Sequence, residues 1–255
     1  DLKQAPPERK KLVLDGKCWT VSYALCKYSA VQINSYSRDS FTEGENEILR
    51  RLAKVFEQAY VRFVDLQKAG AQAREAQIQL SLERVRSRAM AMQKTHELAE
   101  LISVVFQELA KLDFALTRTM LWFFDESQYT YEVWMANSES VKSSTFGRLP
   151  LEHPFHIRIF NVWKERKAKW VYELKGEEKK ELDDYLFTKT IAAHLPEEVK
   201  AGIRAPERII NSFSFHNFGG LLADGLEELS EENLEIVYRF SKEFDTTYTR
   251  FLDLQ

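Results

Sequence analysis

The chain contains the same helix sequence twice. TYTRFLDLQ at 247–255 repeats AYVRFVDLQ at 59–67. Read backwards from these nonapeptides without gaps, Glu43, Glu47, Ile48, Arg51, Lys54, Phe56, Tyr60, Arg62, Phe63, Asp65, Leu66 and Gln67 meet identical residues. Their counterparts are Glu231, Glu235, Ile236, Arg239, Lys242, Phe244, Tyr248, Arg250, Phe251, Asp253, Leu254 and Gln255. Upstream, Ala5-Pro6-Pro7-Glu8-Arg9 resembles Ala205-Pro206-Glu207-Arg208. The spacing between the two blocks differs by about eleven residues, which a loop or hairpin can absorb. Self-similarity of this kind organises a chain before any fold is assigned. Residues 1–67 read as the C-terminal part of a first domain and 68–94 as a helical coiled-coil linker. Residues 95–255 read as a complete second copy that ends in an exit helix. The N-terminus, DLKQAPPERKK, reads as a start inside a longer chain rather than a signal peptide. The second nonapeptide reads as the exit of its domain toward a further linker.

Local patterns fill in the elements. KCWTVSYALCKYSAVQIN at 17–34 is rich in aromatic and β-branched residues and predicts two strands. Thr42, with Glu45 three residues on, opens a helix in the manner of a capping box. Ile48, Leu49, Leu52, Phe56, Tyr60 and Phe63 recur at helical spacing, and the pattern predicts one helix from 43 to about 92 with a possible kink at Gly70. Thr95 is expected to cap the next helix. Strands follow at 115–124 and 129–136, with a third near 143–149. A helix runs from Pro154 to about 167, a short strand covers 170–172, and 176–195 is helical. Pro196 opens a short turn, 209–215 and 218–223 pair as strands, and Ser230 caps a final helix over 231–255. Strands joined by short turns, with helices between them, make an α+β domain with a largely antiparallel sheet.

The linker carries two apolar stripes. Leu66, Ala69, Ala73, Ala76 and Leu80 alternate by three and four, and so do Ile78, Leu82, Val85, Ala89 and Met92. Each fits a heptad, and their offset is that of a stutter. A helix this long and polar needs a partner to be stable. The expectation is a parallel homodimer seam through Leu66, Ala73, Leu80, Leu82, Val85, Ala89 and Met92, set against the alternative that the helix packs back on its own domain. ERVRSR at 83–88 reads as a solvated face of that coil.

Composition excludes several classes. Lys and Arg total 36 and Asp and Glu 39, a formal charge of −3 that gives no pull toward nucleic acid or acidic membrane. No apolar run reaches bilayer length. Two cysteines, Cys18 and Cys26, make neither a disulfide framework nor a zinc pattern, so a reducing cytoplasm is the expected home. No P-loop, dinucleotide glycine pattern, nucleophile elbow or kinase motif is present, and no enzymatic activity is expected. The acidic pairs Glu177-Glu178 and Asp183-Asp184, set among lysines, read as solvated surface.

At the level of families, the element order resembles a GAF domain. The linker pieces YVRFVDLQKA (60–69), AQAREAQI (71–78) and LERVRSRAMAM (82–92) resemble the connector between tandem GAF-like domains of large bacterial signalling proteins, notably those of Bacteroidetes. The resemblance implies a GAF-like antiparallel sheet flanked by helices. It further implies a sensory or dimerising input module upstream of an effector such as a histidine kinase or nucleotide cyclase. Residues 95–255 contain no cysteine for a bilin thioether, and they lack the Asn-Lys-x-x-x-Phe-x-x-x-Asp-Glu signature of cyclic-nucleotide binders. No cofactor is therefore assigned.

Candidate ligand-binding residues follow from where aromatic and polar groups crowd. Trp122, Phe124 and Trp134 lie on the first two strands of the complete copy, and Phe213, Phe215 and His216 flank the Gly219-Gly220 pair. His153 and His156, with Glu152, stand at a helix start. Capping and packing explain that trio more simply than a metal or haem ligand set, so no metal is assigned. The sheet face beneath the 153–200 helices is the expected pocket for a small molecule. The other reading of these aromatics is an ordinary core.

Overall fold

A computed structural model describes residues 6–137 and 144–253. The chain divides into two compact units, Asp1–Arg74 and Glu75–Gln255, so residues 75–94, most of the expected linker, belong to the second unit. The long helix is continuous over Glu43–Met90, with no break at Gly70.

In the first unit, helix α1 (Pro7–Leu14) precedes a hairpin of β1 (Thr20–Leu25) and β2 (Ala30–Ser35), and α2 (Glu43–Met90) follows. The capping box forms as expected. Glu45 Oε2 accepts from Thr42 N–H at 2.8 Å, and Thr42 Oγ1 accepts from Glu45 N–H at 3.3 Å. A small core of Ala24, Leu49 and Ala53 joins hairpin to helix.

The second unit begins with residues 75–90 of α2, and α3 (Leu98–Lys111) follows. Thr95 does not cap α3 through its hydroxyl. A single 3-10 turn, Thr95–Glu97, intervenes, and the Glu97 carboxylate accepts from Gln93 N–H at 2.6 Å and Lys94 N–H at 3.1 Å. The strands β3 (Arg118–Asp125), β4 (Thr130–Asn137) and β5 (Ser144–Pro150) come next. Helix α4 (Pro154–Lys164), strand β6 (Lys169–Lys175) and helix α5 (Gly176–Lys189) follow. A 3-10 turn (Ile191–His194) leads to α6 (Glu197–Arg204), where only a short turn was expected. Strands β7 (Arg208–His216) and β8 (Gly219–Gly225) precede α7 (Glu231–Asp253). Position 143 of the third expected strand and 254–255 of the last helix lie outside the described residues. Ser230 caps α7, its Oγ accepting from Asn233 N–H at 3.1 Å.

The six strands form one antiparallel sheet in the order β5-β4-β3-β8-β7-β6. Side chains alternate between its faces. Leu121, Trp134, Ala136, Leu221 and Ala223 pack against α3, α7 and the end of α2. Trp122, Tyr131, Val133, Phe213, Phe215 and Leu222 pack against α4 and α5. Gly219 lets β8 approach β3, because a Cβ there would stand 2.0 Å from the Trp122 carbonyl oxygen.

The repeat is visible in three dimensions. The order α1–β1–β2–α2 matches α6–β7–β8–α7, and both short helices have eight residues and a proline N-cap, Pro6 and Pro196. The upstream sequence match is thereby re-registered. Pro7 and Glu8 open a helix, whereas Pro206 and Glu207 lie just before a strand, so α1 corresponds to α6 rather than to Ala205–Arg208. The hairpin clasp is also repeated. Lys27 N–H donates to Glu57 Oε1 at 2.6 Å in the first unit. Asn217 N–H donates to Asp245 Oδ1 at 3.0 Å in the second, and Glu57 and Asp245 are aligned positions.

Burial separates the copies. Ile236, Phe240, Phe244 and Phe251 are core residues, 0–6% exposed, whereas the aligned Ile48, Leu52, Phe56 and Phe63 are 50–58% exposed. The expected dimer seam also divides. Leu66, Ala73 and Leu80 are exposed, but Leu82, Val85, Ala89 and Met92 are 0–7% exposed inside their own unit, with Ile102, Phe240 and Phe244. These four are corrected from seam to core, because they cannot face a second chain without opening that core. The ERVRSR cations are likewise spent within the chain. Arg86 forks onto Glu243 at 2.7 and 2.6 Å, Arg84 reaches the buried Glu108 at 3.0 Å, and Arg88 pairs with Glu100.

Candidate functional site

A cavity of about 70 Å3 lies on the α4–α6 side of the sheet. Met120, Val133, Leu174, Leu182, Leu186 and Leu222 supply much of its apolar wall. Trp122, Tyr131 and His156 close one part of it. Trp122 stacks on Tyr131 at 5.1 Å between ring centroids and meets His156 edge-on at 5.4 Å.

His156 sits on the buried face of α4, and its Nδ1 lies 2.7 Å from Tyr131 Oη. Burial drives the imidazole pKa down to about 3 and raises that of the tyrosine, so the bond joins a neutral ring to a neutral hydroxyl. His153 is the N-cap of α4, its Nδ1 accepting from Phe155 N–H at 3.2 Å. Among the described residues, no three of His, Cys, Asp and Glu converge as a metal site would require.

The most polar part of the cavity wall was not anticipated from sequence. Arg118, Asp224 and Asn211 stand side by side across β3, β8 and β7. Arg118 Nε donates to Asp224 Oδ2 at 2.6 Å, and the Asp224 side chain is 1% exposed. Burial pushes its carboxyl pKa up against the pull of Arg118. Asp224 Oδ1 and Trp122 Nε1 are buried without a protein partner.

The eight expected ligand residues therefore divide. Trp122 and His156 line the cavity, and Phe124, His153, Phe213 and Phe215 pack around it on the same side of the sheet. Trp134 and His216 lie on the other face. Trp134 packs with α3 and α7, and the His216 ring lies 4.8 Å from that of Phe244. Strand parity separates them, since Trp134 is one residue out of phase with Val133, and His216 with Phe215. The same parity could have found Arg118 and Asp224, which are in phase with Met120 and Leu222 on adjacent strands.

A second depression, about 1140 Å3 and open, is lined by charged groups of α5 and α6. Much of its charge is internally paired. Lys179 and Asp183, 3% and 6% exposed, bond at 2.7 Å, and Lys179 Nζ also donates to Ile203 O at 3.1 Å. Asp183 is thus corrected from solvated surface to buried ion pair.

No protein-family model matches the chain, and no curated protein does. Solved structures that match include the GAF domain from Acinetobacter phosphoenolpyruvate-protein phosphotransferase. It has 14% identity and a TM-score of 0.42, over 69% of this chain and 94% of that one. A methyl-accepting chemotaxis protein fragment, residues 122 to 287, has 12% identity and a TM-score of 0.41, over 69% and 99%. Among the described residues no helix is long and apolar enough to cross a membrane.

Proposed function

We propose that the chain is a sensory and dimerisation module of a bacterial signal-transduction protein, with no catalysis of its own, working in the cytoplasm. The observation that carries this reading is the division of one sheet into two faces. One face holds a mostly apolar cavity with a buried polar row, the form of a small-molecule site. The other holds the helices that enter and leave the domain, α2 and α7. A guest that prefers one arrangement of the sheet would bias those helices by population shift. The linker resemblance supports an effector such as a histidine kinase or nucleotide cyclase downstream, and the formal charge of −3 argues against a nucleic-acid or acidic-membrane partner.

Dimerisation is assigned to the exposed stripe Leu66, Ala69, Ala73, Ala76 and Leu80, each of which faces away from its own unit. Its three-four spacing is what a second, parallel copy of the same helix matches. Sedimentation of the double variant Leu66→Glu/Leu80→Glu tests this. A dimer converted to monomer supports the assignment, and an unchanged dimer refutes it. A second reading, a ligand-free structural spacer, is favoured by the small volume of the cavity. It predicts that filling the cavity with a larger side chain leaves the rest of the domain unaltered.

A further inference from the structure

Building on the sensory reading of this cavity, we propose that its guest is a small uncharged molecule with an apolar body and one hydroxyl or amide N–H, which it presents to Asp224 Oδ1. Asp224 is fully buried, and Arg118 occupies only its other oxygen. The wall around it is mainly aliphatic and aromatic. A carboxylate oxygen left without a donor in such surroundings is costly, and a guest that supplies the donor recovers that cost. Trp122 Nε1 on the same wall is also without a protein partner, but as a donor it calls for an acceptor; the other polar groups are engaged. Asn211 Nδ2 points at the Ile209 and Tyr172 carbonyls, 3.3 and 3.4 Å away, and Tyr131 and His156 satisfy one another.

Charge selects the class further. Arg118 and Asp224 cancel, so an ionised amine or carboxylate would bring an uncompensated charge into a mainly apolar site. Volume sets the size. At about 10–15 Å3 of such space per water-sized group, the cavity has room for a guest of about five heavy atoms.

Methionine methyl NMR on the full chain tests the proposal. Met120 and Met135 line the cavity, while Met92 is in the opposite core and Met90 is exposed. The probes are 1-propanol, propionamide, propionate, propylammonium and xenon. Propanol and propionamide are expected to shift Met120 and Met135 selectively, binding at least ten-fold tighter than the two ions. Leu186→Trp, which fills the cavity, should abolish the shifts. Asp224→Asn should erase the preference for donors, and should it not fold, the Leu186→Trp arm still decides. Equal binding of the ions overturns the proposal, as does a crystal soaked in propionamide that shows only an ordered water at Asp224. Xenon separates the two levels of the argument. If it enters but neither the alcohol nor the amide is preferred, this inference falls alone. If it does not enter, the sensory reading falls with it.

Discussion

Burial keeps two histidines neutral, and that has a measurable consequence. His156 and His216 both have pKa values driven down to about 3 by desolvation, from 6.5. Below pH 6.5 the unfolded chain takes up protons at these positions and the native chain does not, so stability falls as pH drops, until about pH 3. At about 1.4 kcal/mol per pH unit per group, the pair should cost about 4 kcal/mol between pH 7 and 5. Urea titrations across that range check this. His156→Gln should roughly halve the slope, and an unchanged slope would contradict the account. Individual roles were only partly legible from the chain. His153 was readable as a helix cap, because a residue before a proline-initiated helix is placed to accept a backbone N–H. Arg118 and Asp224 were legible only as in phase with Met120 and Leu222; that they pair with each other needed the facing strand, since a charge on a strand otherwise signals solvent.

At the scale of elements, the two exit helices make a natural double experiment. Phe56 and Phe244 are aligned and identical, but one is half-exposed and the other 3% exposed. Phe244→Ala should cost about 3–5 kcal/mol, whereas Phe56→Ala should cost less than about 1 kcal/mol. Chemical denaturation of the two variants measures both, and equal losses would show that the 48–63 face is covered in solution. The linker makes the same point. Leu82→Glu puts a charge into a core shared with Phe240 and should unfold the second unit, whatever the oligomeric state. Leu66→Glu should leave thermal stability within about 0.5 kcal/mol when measured on the monomer. Periodicity predicted a single helix over 43–92, and Glu43–Met90 is one. It could not say which stripe met which partner, since a heptad seam and a helix packed on its own sheet follow the same three-four spacing. The repeat was legible because twelve identities lie in one ungapped register. Its upstream end was misread because a proline serves equally at a helix start and before a strand.

Over the whole of the second unit, the proposed signal has a physical route. Trp163 on α4 donates its indole N–H to the His216 carbonyl at 2.9 Å, which ties the cavity-side helix to β7. From the opposite face, Ser241 on α7 donates to the Ser214 carbonyl at 2.9 Å, and Asp245 holds the β7–β8 turn. Cavity, sheet and exit helix are thus joined through one strand. The same strand exposes the proposal to a single decisive measurement. Hydrogen exchange should be followed along α2 and α7 in the wild-type chain and in Leu186→Trp, where the new side chain occupies the cavity. The account predicts a change of at least several-fold in the protection of residues 75–90 and 236–251. Unaltered protection there, alongside altered protection at β3 and α5, would show that the sheet does not carry the cavity's state to the helices.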